Sequence, residues 1–126
     1  MKSCVLTENF SCDPNRLWLY LSKPTLSGWR SDVTGYEESD DGMNAKVINR
    51  DGSVTDIHFT RKEKPRAMNG TFQNGRKKGT FALILLGGGD AASVECTLEI
   101  DGIGLFGKPK KLLEERMTML HKAVGD

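Results

Sequence analysis

The chain has 126 residues, with 18 Lys and Arg against 17 Asp and Glu, so its formal net charge is only +1; 37% of residues are hydrophobic and 28% charged. This balance suits a folded core with a wet surface and excludes a disordered polyelectrolyte. It also excludes a global field that would draw the chain to nucleic acid or an anionic bilayer, so recognition must be local.

The length fits one domain spanning 1–126. Ser3 to Phe10 mixes β-branched, polar and aromatic residues and predicts a first strand. Asp13 is suited to cap a helix, and Pro14 to open it, because the first turn has amide hydrogens that need an acceptor and proline lacks one. Leu17, Trp18 and Leu21 then share a face, and Lys23-Pro24 ends the helix. Thr25 to Trp29 has room for one more turn.

From Arg30 onward, glycine-bearing turns recur between segments rich in β-branched and aromatic residues. Six strands are predicted: Ser31–Ser39, Met43–Arg50, Ser53–Lys62, Arg66–Gln73, Lys78–Leu86 and Ala91–Asp101. Asp51-Gly52 and Asn74-Gly75 are strong hairpin signals, since both tolerate the positive φ of tight turns; Gly87-Gly88-Gly89-Asp90 is read as another turn. In the last strand Val94, Cys96, Leu98 and Ile100 alternate with Ser93, Glu95, Thr97 and Glu99, which predicts one buried and one wet face. Continued to the neighbouring strands, this puts Ile57, Phe59, Met68, Phe72, Phe81, Leu83 and Leu85 inside.

The chain closes with its longest predicted helix. Pro109 opens it, and Leu113, Met117, Leu120 and Val124 form one apolar stripe, with Lys110, Lys111, Glu114, Glu115 and Lys122 opposite. That stripe needs an apolar surface, and the inner face of the sheet is the large one on offer. The fold class is α+β.

Other signals have plainer explanations. Gly102-Ile103-Gly104-Leu105-Phe106-Gly107 has the spacing of a dinucleotide loop, but a single helix follows it, so no βαβ unit can form and a flexible connector is expected. Asp56 and His58 share a strand face and would suit proton transfer if they met, yet Ile57 and Phe59 claim the core and leave the pair in solvent. The basic clusters at Arg61–Arg66 and Arg76–Lys78 fall at opposite ends of a meander, which argues against nucleic acid. Cys4, Cys12 and Cys96 are too far apart for a disulfide framework or a zinc knuckle, and no apolar run reaches the length of a membrane span. A cytoplasmic protein without metal or cofactor is therefore expected.

The order strand, short helices, six strands, long helix, together with Asp13-Pro14-Asn15-Arg16-Leu17-Trp18-Leu19-Tyr20-Leu21 and Leu26-Ser27-Gly28-Trp29, resembles the START-like (SRPBCC) superfamily and its opening x-P-x-x-[VL]-W-x-x-L … W. The resemblance implies a helix-grip fold: a curved antiparallel sheet of about seven strands wrapped around the C-terminal helix, two short helices after strand 1, and a cavity for a hydrophobic small molecule. On that expectation the ligand-facing residues are Trp29, Tyr36, Ile57, Phe59, Met68, Phe72, Phe81, Leu83, Val94, Cys96, Leu98, Leu113, Met117, Leu120 and His121, with Trp29 closing the mouth and His121 or Tyr36 orienting the ligand. A filled core has the same composition as a cavity wall, and the tight hairpins leave little room for lid loops. Three functions follow: non-catalytic binding or transport of a small hydrophobic molecule or lipid, a polyketide cyclase/aromatase-like enzyme, or an interaction module of the Hsp90-activator type. No catalytic constellation is assigned, integral membrane association is not expected, and a homodimer is left open.

Overall fold

The computed structural model describes residues 1–125. Strand β1 (Lys2–Phe10) leads to helix α1 (Pro14–Ser22) and a single 3-10 turn at Leu26–Gly28; strands β2 (Val33–Glu38), β3 (Asn44–Asn49), β4 (Val54–Glu63), β5 (Ala67–Asn74), β6 (Lys77–Gly88) and β7 (Ala91–Asp101) follow, and helix α2 (Pro109–Val124) ends the chain. All seven strands form one antiparallel sheet in the order β1-β7-β6-β5-β4-β3-β2. The meander from β2 to β7 runs through neighbours, so the segment from α1 through the 3-10 turn carries the chain from one edge of the sheet to the other.

Local chemistry sets the helix ends, at Asp13 as expected. Asp13 Oδ1 accepts from the backbone amide of Asn15 at 2.7 Å, and Gly125 takes φ +79° to stop α2, a conformation that side chains resist. The predicted turn at Gly87-Gly88 is corrected: both residues pair with Ala92 and Ala91, so β6 runs to Gly88 and the turn is shorter. Ser31 and Asp32 lie outside β2, in a loop. Strand β4 carries a bulge between Phe59 and Arg61, which ends strict alternation.

The bulge has a side-chain consequence. Ile57 and Phe59 face inward, but beyond the extra residue Arg61 points out and Lys62 points in, with its Nζ 4.4 Å from the Phe59 ring centroid. Gly70 lies between Phe59 and Phe81 in register, and a Cβ there would meet the Phe81 ring at 2.9 Å. The two rings close over this glycine edge to face, 6.1 Å apart.

Helix α2 packs mostly on β1 and also touches β7 and α1, so it covers one side of the sheet. Leu17, Leu85, Val94 and Leu120 are fully enclosed where helices and sheet meet. Each such side chain contributes about 1.5–3 kcal/mol by leaving water. Strands β3 to β6 curl around the space beside α2. Outside, Glu37, Lys46, Asp56, Gln73, Lys78 and Asp101 stand in register across six strands, a row of mostly alternating charge that keeps this face wet. Among the described residues no helix is long and apolar enough to cross a membrane.

Candidate functional site

A cavity of about 930 Å³ lies between the inner face of the sheet, α2 and the segment from Leu21 to Asp32. Its floor is built strand by strand: Tyr36 and Val47, then Ile57 and Phe59, Met68 and Phe72, Phe81 and Leu83, and finally Cys96, Leu98 and Ile100. Period-two alternation delivers these residues to one face. The helix adds Leu112, Leu113, Arg116, Met117 and Met119, and Leu21, Pro24 and Trp29 form a side wall. Phe72 and Leu83 are half-buried because they border open space instead of other side chains.

Three of the expected ligand-facing residues do not reach the cavity. Val94 and Leu120 are sealed in the core beneath α2. His121 is one step, and so 100° of helical turn, past Leu120; its ring stacks on Phe10 at 4.1 Å, and Nε2 lies 3.3 Å from Glu8 Oε2 on β1. It is a packing residue on the sheet side, not a polar anchor in the cavity. Trp29 is a wall, not a lid: it is buried, its Nε1 donates to the Lys23 carbonyl at 3.1 Å, and Tyr20 meets it edge-on.

Polar groups occupy three places on the wall. Tyr36 donates its hydroxyl to Glu38 Oε1 at 2.7 Å, and Lys62 reaches the same oxygen at 3.3 Å. Burial, and then the hydrogen bond and charge of Glu38, push the Tyr36 phenol far above its ordinary range. Near the β3–β4 turn, Asn49 and Asn74 both donate to the hydroxyls of Ser53 and Thr55 at 3.0–3.3 Å.

The third group was missed from sequence. Arg30, 9% exposed, grips Asp32 through Nε at 3.2 Å and Nη2 at 2.8 Å, while Arg116 Nη2 lies 4.0 Å from Asp32 Oδ2. Burial opposes ionisation of Asp32, but the hydrogen bonds and charge of Arg30, with the charge of Arg116, outweigh it and hold the carboxyl below its usual range. Deeper in, burial pushes the Cys96 thiol up to about 12, against the pull of Arg116. The available signal for Arg116 was its place in Leu112, Arg116 and Met119, a second stripe at helical spacing.

The other motifs lie elsewhere. Asp56 and His58 are exposed on the outer face and do not meet: Asp56 pairs with Lys46 at 2.8 Å, and His58 Nδ1 lies 2.9 Å from Asn44 Oδ1, each with its cross-strand neighbour. In the Gly102–Gly107 connector, the carbonyl oxygens of Gly104, Leu105 and Gly107 converge on Lys2 Nζ at 2.6–2.9 Å. A loop that turns oxygens toward a cation is the reverse of a phosphate cradle.

No protein-family model matches the chain, and comparison with curated proteins finds no match. Solved structures do match. A START superfamily protein from Mycobacterium smegmatis superposes with a TM-score of 0.72 at 15% identity, covering 97% of this chain and 93% of its own. The fold is START-like. The START-like architecture is similarly shared with the protein XoxI from Bacillus cereus, at TM-score 0.74, 12% identity and coverage of 100% and 97%. A protein from Mesorhizobium loti gives 0.76, 14%, 98% and 97%.

Proposed function

We propose that this START-like protein binds a small apolar molecule between its sheet and C-terminal helix, and holds or carries it without chemical change. The observation that carries this reading is the cavity itself, about 930 Å³ with mostly apolar walls. That volume is within the range of small-molecule sites, and covering apolar ligand surface yields roughly 25 cal/mol per Å². A filled core, which an interaction module acting through its surface would have, does not describe this space. Against catalysis, neither histidine lines the cavity, Tyr36 is held protonated beside Glu38, and Asp32 is committed to Arg30. The widely spaced cysteines favour a cytoplasmic setting.

The test is titration with the neutral solvatochromic dye Nile red, beside native mass spectrometry of gently purified protein. Saturable dye uptake is expected, and Leu83→Trp, which fills the cavity from its floor, should weaken it at least tenfold while the chain stays folded. Absence of saturable uptake, or uptake indifferent to Leu83→Trp, would overturn the reading.

A further inference from the structure

The cavity is apolar in most of its wall yet carries a charge that the protein does not neutralise. Asp32 spends both carboxylate oxygens on Arg30, and that fork is complete. Arg116 is left with a 4.0 Å contact to the same carboxylate and, among the described residues, donates no hydrogen bond; its Nε is buried without a partner. A guanidinium has five N–H donors in one plane; 39% of the Arg116 side chain is accessible, so its outer donors open onto the cavity, and the buried Nε is the one whose missing acceptor is costly. The rest of the lining offers no remedy. Among the other lining residues Arg50 and Lys77 are matched in number by Asp51 and Glu115, and the Cys96 thiol is neutral. Two arginines against one aspartate leave one positive charge facing the cavity.

We propose that Arg116 is the headgroup clamp of the cavity, and that its ligand is a monoanionic amphiphile: an apolar body ending in a carboxylate that takes the Arg116 guanidinium side-on. The assignment rests on the apolar-ligand reading above and names its ligand class. A carboxylate matches the spacing of two guanidinium N–H groups, and one negative charge neutralises the cluster, whereas a dianion would leave an excess buried charge. Phe81, Leu83 and Met68 on the opposite wall then cover the apolar body. Burial, followed by the charge of Arg30, lowers the pKa of the Arg116 guanidinium, while its accessible tip and the Asp32 carboxylate keep it cationic at neutral pH, so it gains from an incoming anion.

The test compares decanoate with decanol, which share an alkyl chain and differ in head charge, as competitors that displace Nile red from wild type, Arg116→Gln and Arg116→Lys at pH 7.4. Charge-assisted hydrogen bonds predict that wild type binds decanoate at least about tenfold more tightly than decanol. Arg116→Gln should cut the ratio of decanoate to decanol affinity to about threefold or less, and Arg116→Lys, which keeps the charge but loses the fork, should fall between. Equal affinities in wild type overturn the headgroup assignment while leaving the apolar site standing, and that comparison needs no variant to fold. A preference undiminished in Arg116→Gln overturns it too. If neither competitor displaces dye and no dye binds, the apolar site itself is refuted and the clamp with it.

Discussion

The imidazole of His121 lies nearly flat on the ring of Phe10, with centroids 4.1 Å apart and planes 20° from parallel. The contact ties the last turns of α2 to the end of β1, where Glu8 also meets the ring nitrogen. Its role is therefore to hold the helix on the sheet. Replacing His121 with Ala should cost about 1 kcal/mol of stability, as expected for a stacked pair, and leave Nile red affinity within about twofold. Urea unfolding and dye titration on the same preparation check this. Unchanged stability with lost affinity would move His121 back into the ligand site.

Cys96 gives a prediction at alkaline pH. Its thiol, buried in the cavity floor, is raised to about 12 in the folded chain from an ordinary value near 9. Between those values the unfolded chain releases a proton that the folded chain keeps, so the contribution of this thiol to stability falls as pH rises. The slope approaches about 1.4 kcal/mol per pH unit inside the window. Wild type minus Cys96→Ala, each measured by urea unfolding at pH 8 and pH 10.5, isolates this group from other alkaline titrations. The wild-type advantage should shrink by about 2 kcal/mol between the two conditions. An advantage that is constant or grows would show the thiol ionising in the folded protein.

The strand order and most of the cavity floor were legible because their signals are local. Asp51-Gly52 and Asn74-Gly75 mark hairpins on their own, and the alternation through Val94, Cys96, Leu98 and Ile100 needs one strand to be read. The bulge after Phe59 was not legible. Nothing in Thr60-Arg61-Lys62 announces which residue drops out of register, so the inward turn of Lys62 and its link to Glu38 emerge only from pairing with β5. Helix α2 posed a different difficulty. Leu113, Met117, Leu120 and Val124 form a true stripe, but Leu112, Arg116 and Met119 form another, and spacing alone does not say that Leu113 and Met117 border the cavity with the second stripe while Leu120 and Val124 are sealed in the core. His121 was misplaced for a related reason, being one residue, and so 100° of helical turn, past Leu120 of the first stripe. The Arg30–Asp32 fork sits in an irregular loop where no periodicity applies.

That fork yields the remaining prediction. Asp32 holds Arg30, which is almost wholly buried, and also faces Arg116, so Asp32→Asn leaves two guanidinium groups without their shared counterion. Breaking a fully buried pair costs about 3–5 kcal/mol, but 47% of the Asp32 side chain is accessible to solvent, which reduces the expected loss to about 1–2 kcal/mol. The pH dependence has a definite sign. Because the folded state holds the Asp32 carboxyl below its usual value, the stabilisation is fully present above the unfolded carboxylate range near 4 and is lost as pH falls through the lower folded value. Wild type should thus exceed Asp32→Asn most at pH 6–8, with the gap narrowing toward pH 3; a gap that widens in acid would contradict the assignment. The same variant raises the charge facing the cavity from one to two. Decanoate should then bind Asp32→Asn more tightly than wild type while decanol does not, so a substitution that weakens the fold would strengthen the site. A general loosening of the cavity would instead weaken both ligands together.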